Sequence, residues 1–121
     1  MKVNNKRMAT GKSSSFAWDY SRSDILNIHK TGKAVAGSAE LGDFTVDFDK
    51  EGNIIGVEVT NASEFLSQVG ISPEQLNSLQ GAELILNQKD HNVTFILIKL
   101  KLAAGEQTIP LPAPIAASVE E

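Results

Sequence analysis

The 121 residues carry 41% hydrophobic and 21% charged side chains, the balance of one small globular domain. The formal charge is −4, and residues 1–15 hold Lys2, Lys6, Arg7 and Lys12 without an acid, so residues 16–121 carry −8 and repel a phosphate backbone. No cysteine is present, which excludes disulfides, thiol nucleophiles and cysteine-ligated metals, and the longest apolar run, Phe95 to Ile98, is too short to span a bilayer.

In chain order, residues 1–15 read as a disordered basic arm rich in Asn, Ser and Lys. No apolar stretch follows it, so a secretory signal is not expected and the cytoplasm is. Gly11-Lys12-Ser13 echoes the end of a phosphate loop, but Lys6 stands where that motif needs its first glycine. Five short strands follow, at Phe16–Tyr20, Ile25–His29, Lys33–Glu40, Phe44–Phe48 and Ile54–Thr60. In the fourth, Phe44, Val46 and Phe48 alternate with Thr45, Asp47 and Asp49, the period of a half-buried strand. Asp49-Lys50-Glu51-Gly52-Asn53 supplies the next turn, with Gly52 as its left-handed residue.

Two short helices come next. Asn61 with Glu64 has the capping-box spacing for the first, which Gly70 ends. Ser72, Pro73 and Gln75 open the second as N-cap, first-turn proline and box partner, and Ile71 can staple onto Leu76. A long hairpin then joins Ala82–Gln88 to Asn92–Leu102 through Lys89-Asp90-His91, with a shorter strand at Gln107–Leu111. Pro110, Pro112 and Pro114 mark residues 110–121 as a tail. The expected architecture is a single α+β domain over residues 16–109. It is a mostly antiparallel, curved sheet, a meander plus the long hairpin, with the two helices on one face.

Candidate chemistry centres on carboxylates. Asp47, Asp49 and Glu51 fall at positions 1, 3 and 5 of a calcium-loop template, with Gly52 at 6 and Glu58 at 12. The flanking residues alternate as strands where that loop requires helices, so the hairpin reading is preferred and a surface cation site at the three acids is kept beside it. Asp19 and Asp24 bracket Tyr20-Ser21-Arg22-Ser23 as an acidic pair or as turn residues. Neither His29 nor His91 has a spaced partner, and each is expected to be solvated. No catalytic residue is assigned and no cofactor is expected. The preferred function is a non-catalytic binding or assembly module. The alternative is a metal-assisted hydrolase or other enzyme built on Asp19, Asp24, Asp47 and Asp49.

The strand Val93–Leu102 is apolar on both faces, with Val93, Phe95 and Leu97 on one side and Ile96, Ile98, Leu100 and Leu102 on the other. Two short helices cover one face of a wide sheet, so Ile96, Ile98 and Leu100 are the candidate contacts of a homodimer. The tail Leu111–Ile115 is the rival cover. Nucleic acid and membrane are not expected partners, and a small-molecule ligand is left open.

Asp24-Ile25-Leu26-Asn27-Ile28, the turn Asp47-Phe48-Asp49-Lys50-Glu51-Gly52, then Gly56-Val57-Glu58-Val59 and Ala62-Ser63 resemble the small prokaryotic domains of unknown function 2283. Trp18 and Asn27 stand where that family usually has tyrosines. The resemblance covers about residues 16–66 and implies a small β-rich cytoplasmic domain, with no activity attached.

Overall fold

Nine strands and two helices make up a computed structural model that describes the backbone of residues 7–89 and 92–111 and the side chains of residues 9–86 and 95–111. The strands are β1 (Arg7–Lys12), β2 (Phe16–Ser21), β3 (Ile25–Lys30), β4 (Gly37–Leu41), β5 (Phe44–Phe48), β6 (Ile54–Thr60), β7 (Gly81–Lys89), β8 (Asn92–Leu102) and β9 (Gly105–Pro110). Helices α1 (Ala62–Ser67) and α2 (Pro73–Asn77) lie between β6 and β7. Strand is the dominant element among the described residues, so the β-rich α+β expectation holds. The expected hairpin turn includes residues 90–91 and the tail includes residues 112–121, all outside the described residues.

The strands form two antiparallel sheets, ordered β1-β2-β3-β6-β5-β4 and β7-β8-β9. One continuous sheet was the sequence-based expectation. β6 already has β3 on one side and β5 on the other, so the next strand in the chain cannot pair with it as a hairpin. The chain passes through the helices and starts a second sheet.

Alternation decides which side chains turn inward. Phe16, Trp18 and Tyr20 of β2, Leu26 and Ile28 of β3, Val46 of β5 and Val57 and Val59 of β6 are buried on one face of the first sheet. Ala82, Leu84, Ile96, Ile98, Leu100, Leu102 and Ile109 of the second sheet join them in one core, and β7 packs against β2 and β3. Leu66 of α1 and Leu76 of α2, with Ile71 and Leu79 from the segments flanking α2, complete the core. Phe65 of α1 meets Phe44 edge-on, with ring centroids 5.1 Å apart.

Three expectations are corrected. The basic arm is not free throughout, because Arg7–Lys12 pairs with β2 and Ala9 packs on the core. Only Met8 and Ala9 are apolar there, so the strand rests on backbone pairing that residue patterning does not reveal. Ile96, Ile98 and Leu100 are 2%, 0% and 0% exposed against the chain's own core, so they are not available to a second copy. Finally, Asn61 sits in the left-handed region at φ 52° and caps nothing with its side chain. The second capping box is as expected: Ser72 Oγ accepts from Gln75 N–H at 3.2 Å, and Gln75 Oε1 accepts from Ser72 N–H at 2.8 Å.

Candidate functional site

The register across the first sheet sets His29, Gly56, Asp47 and Ser38 side by side on β3, β6, β5 and β4. They lie on the face opposite the core residues of these strands. Gly56 has no side chain, and the His29 imidazole reaches across it to Asp47, two strands away. Nε2 stands 2.7 Å from Asp47 Oδ2, and Ser38 Oγ donates to Asp47 Oδ1 at 2.6 Å. A carboxylate only accepts, so Nε2 carries the shared hydrogen. A Cβ built at Gly56 would lie 2.6 Å from His29 Nε2, inside any real contact. Glycine is therefore a condition of the His29–Asp47 pair.

Asp47 is 9% exposed, and both of its oxygens are engaged. The arrangement ties three strands over the fourth. It is not a nucleophile relay, since Ser38 and His29 each bond the carboxylate and the serine hydrogen goes to Asp47. Beside His29, a shallow depression of about 400 Å³ is bordered by Thr10, Lys12, Ala17, Asp19 and Asn27. The expectation that His29 lacks a partner is thus corrected, while its side chain stays 36% exposed. A glycine inside the apolar run of β6 was the available signal, because such a glycine marks a close approach.

The other acids are drawn elsewhere. Asp24, at φ 66°, accepts from Tyr20 Oη at 2.5 Å, from Ser63 N–H at 2.9 Å and from Ser63 Oγ at 2.8 Å. Its backbone carbonyl accepts from Ala62 N–H at 3.0 Å. Asp24 therefore caps the first turn of α1 from across the fold, in place of Asn61. Desolvation raises the Asp24 carboxyl, but the hydrogen bonds from Tyr20 and Ser63 together outweigh it and hold the group below its ordinary value. Burial, reinforced by Asp24, pushes the Tyr20 phenol upward. Asp49 accepts from the N–H groups of Asn53 and Glu51 at 2.8 and 3.0 Å, closing its own turn, and the Asn53 bond leads in lowering its carboxyl.

Asp24, Asp47 and Asp49 thus belong to three separate hydrogen-bond sets, and Asp19 lies on β2 paired with Thr10 and Asn27. Among the described residues, no group of three His, Asp or Glu side chains is placed to hold a metal ion. Gly52, at φ 86°, donates its N–H to the Asp49 carbonyl at 3.0 Å, the turn position assigned to it.

A second candidate surface lies on the outward face of the second sheet. There Ile85 is opposite Leu97, which is opposite Pro110, with Phe95 in the adjoining row. Ile85 is 37% and Phe95 42% exposed, so β8 does carry apolar side chains to solvent, on the face opposite the one expected. Farther along the same face, Lys99 Nζ lies 3.9 Å from Glu83 and 3.6 Å from Glu106.

Residues 20–63 match the model of a family described as Protein of unknown function (DUF2283). An uncharacterized protein of Methanocaldococcus jannaschii is 32% identical over 50 residues, which are 41% of this chain and 42% of that protein. The chain thus aligns with less than half the length of this curated relative. No solved structure matches the chain. The family match begins at Tyr20 and ends at Ser63, the two side chains that meet on Asp24. No helix among the described residues is long and apolar enough to cross a membrane.

Proposed function

We propose that the protein is a non-catalytic assembly module that pairs with a second copy through the outward face of β7, β8 and β9. The observation that carries this reading is the exposure of Ile85 and Phe95 beside Leu97 and Pro110, on a sheet whose other face is already filled by the core. Exposed neighbouring apolar side chains favour burial against a partner. A two-fold axis over this patch would bring its apolar rows together sheet on sheet. Lys99, flanked by Glu83 and Glu106, would supply both signs of charge at the rim. The separate hydrogen-bond sets of Asp24, Asp47 and Asp49 count against the acidic-cluster enzyme. The net charge of −8 on residues 16–121 counts against nucleic acid as the partner. A cytoplasmic location is proposed on the family resemblance.

Light scattering at about 10 μM tests the proposal, since an oligomer is favoured by concentration. The expected mass is twice 13.0 kDa, and Phe95→Lys is expected to give a folded species of 13.0 kDa. A wild-type mass of 13.0 kDa that persists as concentration rises would overturn it.

A further inference from the structure

A crevice of about 270 Å³ lies between the β1–β2 hairpin and the second sheet, and Trp18 lines it together with Lys12, Lys99, Lys101, Glu83 and Glu106. Trp18 is 9% exposed, and its buried Nε1 has no hydrogen-bond partner among the described residues. The indole passes close under β1: a Cβ at Gly11 would stand 2.9 Å from Cη2 and 3.0 Å from Cε2, the ring carbon bonded to Nε1. Glycine at position 11 is what lets the six-membered-ring edge of the indole lie against that edge strand.

An indole N–H is a donor only, so what it lacks is an acceptor. The crevice lining carries three ammonium groups against two carboxylates. The ammonium of Lys99 is answered by Glu83 and Glu106, whereas Lys12 and Lys101 have no ion-pair partner among the described residues. These two cations sit on a chain whose residues 16–121 carry −8, and they share the lining of this crevice with Trp18.

We propose that this crevice binds a small oxyanion, with the Trp18 indole N–H as the buried donor and Lys12 and Lys101 as the charge partners. A phosphate or a short carboxylate offers the several acceptor oxygens this set requires, and the volume suits a ligand of few non-hydrogen atoms. The crevice shares Glu83, Lys99 and Glu106 with the rim of the face assigned to assembly, while Ile85 and Phe95 lie outside its lining.

Trp18 is the single tryptophan of the chain, so the ¹⁵N-labelled protein gives one indole N–H resonance that needs no assignment. Inorganic phosphate and succinate are titrated separately, each against sodium chloride at matched ionic strength. The expected result is a saturable shift of the indole resonance with at least one oxyanion and none with chloride. A response to phosphate alone identifies a phosphoryl ligand, and a response to succinate alone a carboxylate. Lys12→Gln and Lys101→Gln, both at exposed positions, are each expected to weaken binding roughly tenfold while the melting temperature without ligand is kept. An indole resonance that neither oxyanion moves, or that chloride moves equally, overturns the proposal and leaves water as the acceptor. So does oxyanion binding of unchanged strength in both lysine variants.

Discussion

Gly56 and His29 form a pair in which the absence of one side chain is the condition for the position of another. Gly56→Ala is expected to cost on the order of 1–3 kcal/mol, since overpacking must push the imidazole off Asp47. His29→Ala should relieve that overlap, so the double variant loses less than the two single losses combined. Urea denaturation of the four proteins measures the cycle, and strictly additive losses would contradict the geometry. Asp24 makes a pH-dependent contribution whose sign is set by its lowered carboxyl. Folding then favours the ionised form, so the stabilisation is complete above the ordinary value of 3.8 and disappears as pH falls through the lower folded-state value. Asp24→Asn keeps a residue that tolerates φ 66° but lacks the charge. It should therefore be less stable than wild type near neutrality, with the difference shrinking in acid. Denaturation midpoints at about pH 7 and about pH 3 check this, and a constant difference would refute the linkage.

The β5–β6 hairpin turns on Gly52, and a β-branched residue at φ 86° carries Cβ strain. Gly52→Val is expected to cost about 1–2 kcal/mol in chemical denaturation, and no loss would sink the turn assignment. β1 contributes little side-chain packing but covers the edge of β2 and lies across Trp18. Deleting residues 1–12 should therefore lower the melting temperature by several degrees, at roughly 4–8 °C for each kcal/mol lost. Scanning calorimetry decides, and an unchanged melting temperature would return Arg7–Lys12 to the status of a dispensable arm. The turn at Asp49–Gly52 and the box at Ser72–Gln75 were legible because donor and acceptor lie within four residues. The cap on α1 was not, because Asp24 and Ser63 are 39 residues apart.

Burial against the second sheet makes neighbouring positions of β8 opposite in their tolerance. Ile96→Lys or Ile98→Lys places an unpaired ammonium in the core and is expected to cost more than about 3 kcal/mol, enough to leave little folded protein. Phe95→Lys, one position away, points outward and should retain the wild-type circular dichroism spectrum. Soluble, folded Ile96→Lys and Ile98→Lys proteins of wild-type stability would contradict the packing of the two sheets. The contrast also separates a failure to fold from a failure to assemble, because Phe95→Lys tests only the outward face.

Local spacing was enough to place most strands, both helices, the Ser72 cap and the left-handed Gly52. Each depends on periodicity or on hydrogen bonds between near neighbours, and these are present in any short stretch of chain. The choice between the two faces of β8 was decided by the tertiary structure alone. Val93–Leu102 is apolar at both alternating sets of positions, so its period carries no preference, and only the packing of Ile96, Ile98 and Leu100 against the first sheet selects the inner one. The same holds for the acids. Asp19, Asp24, Asp47 and Asp49 are close enough in sequence to suggest one site, but strand register distributes them: Asp47 to His29 across Gly56, Asp24 to the start of α1, Asp49 to its own turn. Register depends on which strands pair, and with β3 placed beside β6 that pairing joins residues about thirty positions apart, beyond what local spacing can encode.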